Sequence, residues 1–255
     1  MITLALAVTN LLLYSLGTTL QTLVLRGRLT YHRGRTLCIG AAAAASHAVI
    51  AWRIVGDPNG LDLGFFPVSV LISLLMVSIT LALLWRKPLQ SLLVFLYPLA
   101  ALTVLAGLND EGISKPFNPD PGVLTHVALS VTAYSLFTLA GCQSILVYIQ
   151  NRALKQSHNS MLIRHLPPLQ TMEALLFELL RAGLILLTLA IFTGLFFIED
   201  LFAQHLAHKT LFSLLSWCVF AALLIGRQTL GWRGVIAIRW TLTGYALLML
   251  GYYGS

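Results

Sequence analysis

Thr125-His126-Val127-Ala128-Leu129-Ser130-Val131-Thr132-Ala133-Tyr134 opens a long apolar segment directly after an acidic, proline-broken loop. With His126 as origin, a helix advancing about 100° per residue puts Ser130 at about 40° and Tyr134 at about 80°, with Ala133 on the other side of the histidine. One imidazole, small residues and a phenol then share a face. An imidazole that starts a membrane helix beside small residues can ligate a metal whose flat macrocycle lies against the helix. It can equally cap the helix or face water.

The chain around this stretch is membrane material. Of its 255 residues 58% are hydrophobic and only 10% charged, with a mean hydropathy of +0.84, where a soluble domain averages about 25% charged. A span needs about 20 mainly apolar residues, and eight stretches meet that length, near 2–25, 36–55, 65–85, 88–107, 122–150, 174–198, 209–227 and 234–253. The expected fold is all-α, a polytopic membrane bundle of about eight transmembrane helices forming a single domain over 1–255. The fifth stretch is long enough to tilt or protrude. Met1 to Leu25 lacks a basic leader and a small-x-small cleavage site, so it reads as a retained first span and not a signal peptide.

Charge sets the expected topology. Twelve of the 16 Lys and Arg fall in the first, third, fifth and seventh loops, among them Arg26, Arg28, Arg33, Arg35, Arg86, Lys87, Arg152, Arg227 and Arg233. The positive-inside rule then places both termini on the periplasmic, outer side of a bacterial inner membrane. The same rule accounts for the basic loops, so no nucleic-acid partner is implied. Cys38, Cys142 and Cys218 stand far apart, which excludes a disulfide framework, a CxxC redox or zinc motif and a CxxCH haem attachment. Asp57-Pro58-Asn59-Gly60 and Gly231-Trp232-Arg233-Gly234 read as turns, and Pro167-Pro168 ends an inner loop ahead of a helix start.

Ionisable groups at membrane depth are costly and few. His47 lies just past the middle of the second span, where it either ligates or bonds a neighbouring helix. Glu178 and Arg181, three apart in the sixth span, read as a self-neutralising pair packed into the bundle. His208, with His205 one turn earlier, leads into the seventh span on the same side as His126. Three histidines from separate segments thus approach the outer half, and neutral imidazoles in such surroundings suit axial ligation of haem iron. His32, His158 and His165 fall in the basic inner loops as solvated residues.

Leu124-Thr125-His126-Val127-Ala128-Leu129-Ser130 with Ala133-Tyr134-Ser135, then Leu166-Pro167-Pro168-Leu169, Thr193-Gly194-Leu195-Phe196, His208-Lys209-Thr210, Ser216-Trp217, Gly226-Arg227, Gly231-Trp232-Arg233-Gly234 and Tyr252-Tyr253-Gly254-Ser255 resemble the YpjD branch of the cytochrome c assembly (CcsA, HemX-like) family. Ser46-His47-Ala48 also matches. The resemblance covers nearly the whole chain. It implies a haem-handling protein of the bacterial inner membrane, with haem b held near the outer face and cofactor contacts from His126, His208, His47, Ser130 and Tyr134, the three histidines being the metal ligands. Implied partners are the lipid bilayer, haem and other membrane or cytochrome c assembly proteins. Phe197 to Lys209 carries no tryptophan, whereas the haem synthetases of the family place a tryptophan-rich loop there, so synthetase activity is not expected and the protein reads as a non-enzyme. The alternatives are a scaffold or regulator that keeps the fold without haem, and, third, a small-solute or ion transporter, for which paired midplane charges are thin.

Overall fold

In the computed structural model, which describes residues 2–109, 116–155, 166–197 and 204–253, the apolar stretches are helices. They are α1 (Ile2–Leu25), α2 (Arg33–Val55), α3 (Phe65–Leu83), α4 (Leu93–Leu108, entered through a 3-10 turn at Gln90–Leu92), α5 (Pro121–Lys155), α6 (Leu169–Phe197), α7 (Gln204–Thr229) and α8 (Val235–Tyr253). Eight are long and apolar enough to cross a membrane, as the hydropathy pattern required. The protein is an all-α, multi-span membrane protein.

The boundaries follow local chemistry. Pro121 stands at the first position of α5, where its missing N–H is no loss, and Pro167-Pro168 precedes α6. Asp57 and Gly60 pair in a two-residue hairpin, with Asn59 N–H donating to Asp57 Oδ1 at 2.8 Å. Gly60 takes φ +139°, open to glycine and rare for other residues.

The chain forms two compact units, the first holding α1–α4 and the second α5–α8. Within the first, each helix packs on the next and α4 returns to α1; within the second, α8 returns to α5 in the same way. Each unit is thus an up-and-down four-helix ring. The second is centred on Phe137 and Phe220, stacked 4.0 Å apart at 5°. Gly183 faces Phe137 and Gly244 faces Phe220, so both ring positions depend on a missing Cβ.

The hairpin between α7 and α8 is locked from three sides. Arg227 Nη1 donates to the Trp232 carbonyl at 3.3 Å, and its guanidinium lies 4.6 Å from the Phe177 ring centre. The Trp232 ring lies against Gly226 and pairs with Trp240 at 5.1 Å. Gly234 N–H, at the start of α8, donates to Glu173 Oε1 at 2.9 Å, an acidic group where the helix dipole favours one.

One expectation fails. Glu178 and Arg181 are both exposed on α6 and not packed inside the second unit. Leu175, Leu176, Leu179, Leu180 and Gly183 hold the buried face, and three-residue spacing fixes only where two side chains stand relative to each other. His158, His165 and the side chain of His205 lie outside the described residues, and so does Tyr253's side chain. His32 is exposed, as expected of a loop residue.

Candidate functional site

The N-terminal end of α5 is built against α6. His126 Nδ1 lies 2.8 Å from the Ala190 carbonyl oxygen. A carbonyl can only accept, so Nδ1 carries the proton and Nε2 carries the lone pair, an acceptor for the Ser130 hydroxyl. Thr193 Oγ1 shares its proton between Leu189 O at 2.9 Å and Ala190 O at 3.0 Å, and its oxygen, 3.4 Å from Nδ1, is a second and longer acceptor for the Nδ1 proton. Gly194 makes the close approach possible: a Cβ there would sit 2.9 Å from His126 Cε1 and 3.1 Å from Nδ1. Ser130 Oγ is 3.4 Å from Nε2, on the side that the one-turn spacing predicts.

Tyr134 does not join this group. Its hydroxyl donates to Leu248 O of α8 at 3.1 Å, and its ring pairs with Tyr252 at 5.5 Å. The 80° that separates it from His126 turns it to a different neighbour. His208 is exposed on the first turns of α7 beside exposed Lys209. Within each unit, among the described residues, no three His, Cys, Asp or Glu side chains gather as a metal cluster. Ala190, Thr193 and Gly194 make up the α6 side of the site, and elsewhere α7 is tied to α6 by Trp217 Nε1, which donates to Thr188 Oγ1 at 2.8 Å. The sequence offered a signal for Thr193 and Gly194 in their motif, and none for a backbone oxygen.

His47 occupies a different environment in the first unit. It is 0% exposed, and Nδ1 lies 2.8 Å from the Tyr14 hydroxyl of α1. The rings meet edge-on at 5.8 Å. Its Nε2 is buried without a hydrogen-bond partner. A hydroxyl can donate or accept, so Tyr14 allows either tautomer, and only the one protonated at Nδ1 leaves Nε2 free. Beside this pair, Asn10 Nδ2 donates to Ala43 O at 2.9 Å and Ser46 Oγ at 2.8 Å, tying α1 to α2. Tyr14→Phe is expected to destabilise the protein by about 1–3 kcal/mol, because the buried imidazole loses its partner. Thermal unfolding in detergent measures this, and an unchanged midpoint would show that the bond contributes nothing.

The described residues thus make up a multi-span helical membrane protein in which one imidazole, His126, is held by a backbone carbonyl of the neighbouring helix. The chain belongs to the cytochrome c assembly family, whose model, described as cytochrome C assembly protein, matches residues 37–255. It is 30% identical over 219 residues to the inner membrane protein YpjD of Escherichia coli strain K12, covering 84% of this chain and 82% of that protein. It is 34% identical over 173 residues to an uncharacterized 28.8 kDa protein in the nifR3-like 5′ region of Azospirillum brasilense, covering 67% and 63%. Protein HemX of Brevibacillus brevis is 27% identical over 134 residues, covering 52% and 49%. No solved structure matches.

Proposed function

We propose that this protein handles haem b in the bacterial inner membrane, with both termini on the outer side and His126 as the ligand that receives the iron. The observation that supports this is the hydrogen bond from His126 Nδ1 to Ala190 O. A histidine that ligates through one nitrogen is usually held by a hydrogen bond from the other, which fixes the tautomer and raises ligand basicity. His126 has that arrangement in advance, on a helix start beside small residues. The residues therefore fit an axial imidazole, and bound haem would supply a redox-active iron. His208, in the same unit, is the candidate for a second ligand to the iron at His126, and His47 is a separate candidate in the first unit. His47 must first hold its Nδ1 proton toward Tyr14, whereas the exposed ring of His208 has no such demand. Ser130 flanks the iron-facing nitrogen, and Tyr134 serves the packing of α5 on α8. The role is binding and presentation and not catalysis, in keeping with the absence of tryptophan between Phe197 and Lys209. YpjD is an inner membrane protein by name, and membership of the assembly family supports a reading in which lipid, haem and other assembly proteins are the partners.

The test is the absorbance spectrum, oxidised and reduced, of protein purified from haem-replete cells, beside His126→Ala, His208→Ala and His47→Ala. A Soret band with sharpened reduced-state bands is expected in the wild type and is expected to vanish in His126→Ala. A wild type that holds no haem even after reconstitution would refute the proposal and favour the scaffold reading.

A further inference from the structure

The serines and threonines of α5 share one habit. Thr125, Thr132, Ser135 and Thr138 each donate the side-chain hydroxyl to the carbonyl four residues earlier, at 2.7–2.8 Å. Ser144 does the same three residues back, to Gly141 O at 2.8 Å. Such a back-bond is the usual resting place of a hydroxyl inside a helix, because the carbonyl keeps a second lone pair. Ser130 breaks the pattern. Among the described residues its only side-chain partner is His126 Nε2, 3.4 Å from Oγ.

The imidazole supplies the reason. Nδ1 donates to Ala190 O at 2.8 Å, so Nε2 is an acceptor and the Ser130 hydroxyl is its donor. Gly194 lies against Cε1 and Nδ1 and sets the ring from the α6 side, and one turn of α5 brings Ser130 to the remaining nitrogen. Both ring nitrogens are therefore hydrogen-bonded within α5 and α6. A metal on Nε2 would use the same lone pair, at about 2 Å, well inside the Ser130 contact. The hydroxyl and a metal exclude each other on that nitrogen.

We propose that Ser130 is an internal competitor for the ligating lone pair of His126: its hydroxyl holds Nε2 when no metal does, and withdraws to His126 O when one binds. The withdrawn position, on the carbonyl one turn back, is where the hydroxyls of Thr125, Thr132, Ser135 and Thr138 already rest. Reaching it takes one rotation about χ1 between staggered wells. Exchanging one hydrogen bond for another leaves a small difference, so the competition lowers affinity a few-fold and does not forbid binding. A site that must give its ligand up gains from a group that retakes the nitrogen as the metal leaves. Ser130 is thus a positioning residue whose removal tightens binding, opposite to the loss of a cofactor contact. The competition with iron rests on the haem reading above; the hydrogen bond to Nε2 does not.

The experiment pairs two measurements on the full-length protein in detergent, for wild type, Ser130→Ala, Ser130→Thr and Ser130→Val. The first is the imidazole nitrogen NMR spectrum of histidine-labelled protein prepared without haem, with His126 assigned by comparison with His126→Gln. Nε2 in wild type and Ser130→Thr is expected upfield of its position in Ser130→Ala and Ser130→Val, as for an acceptor that has a donor, while Nδ1 stays protonated in all four. The second is haem titration at the Soret band. Ser130→Ala is expected to bind about 2- to 5-fold more tightly than wild type, and Ser130→Val more tightly than Ser130→Thr by a similar factor. Valine and threonine match in size, so that comparison reads the hydroxyl and not room for the macrocycle. The same Nε2 position in wild type and Ser130→Ala would overturn the hydrogen bond. Equal or weaker haem binding in Ser130→Ala, or no difference between the valine and threonine variants, would overturn the competition. A wild type that takes up no haem would refute the haem reading and the competition with it, and the nitrogen spectrum would then decide the hydrogen bond by itself.

Discussion

Gly226→Ala is expected to lower the thermal midpoint of the purified protein by about 2–12 °C, from an overpacking cost of about 1–3 kcal/mol at about 2–4 °C per kcal/mol for a chain of this size. The added Cβ would meet the Trp232 ring. That ring has little room to retreat, because Trp240 lies 5.1 Å away and the Trp232 carbonyl is held by Arg227. Gly231, five residues later, makes a useful contrast. Nothing lies within 4 Å of a Cβ placed there, but its φ is +66°, so its requirement is conformational and asparagine satisfies it in part. Gly231→Asn should therefore be milder than Gly231→Ala. At Gly226 asparagine should be worse than alanine, since it adds volume where space is the limit. Tryptophan fluorescence during heating reads all four variants, and equal behaviour of the two glycines would contradict this division.

Under the haem-binding role proposed above, Gly194→Ala is expected to weaken haem binding about 10- to 100-fold, the usual loss when the group that orients a metal-ligating histidine is disturbed. The new methyl group would stand against Cε1 and Nδ1 of His126, both closer than ordinary contact. The imidazole must then leave Ala190 O or α6 must shift away. Either movement frees the tautomer and swings Nε2 from its set direction. Thr193→Val, which removes only a hydroxyl 3.4 Å from Nδ1, should change haem affinity by less than about threefold, within a weak contact's contribution. Haem titration followed at the Soret band compares them. If Gly194→Ala binds as tightly as the wild type, the Ala190 hydrogen bond does not orient the ligand.

Periodicity made the helices legible, because eight apolar runs of span length leave a chain few other structures in a membrane. It also placed Ser130 beside His126, since one turn of helix is short enough for a single neighbour to serve both. It was less informative about Tyr134, because a face about 80° wide touches two neighbouring helices and the sequence does not say where one ends. Glu178 and Arg181 show the same limit: their spacing gave a mutual angle and not the direction of the core. Tyr14 as partner to His47 required knowing that α1 lies on α2. Ala190's part was invisible, since the group that acts is a carbonyl every residue carries.

That carbonyl has a consequence of its own. Ala190 O sits in the internal ladder of α6 while also accepting from Thr193 and His126. The bearing of Nε2 is therefore geared to the rotation of α6, as a compass needle is to its mount. A turn of that helix by a few degrees would weaken the Nδ1–H hydrogen bond, unfix the tautomer and redirect the lone pair with no contact to the ring. For a ligand held on Nε2 as proposed above, a partner that grips α6 along its exposed residues, from Ile185 to Phe196, would hold a handle on its release.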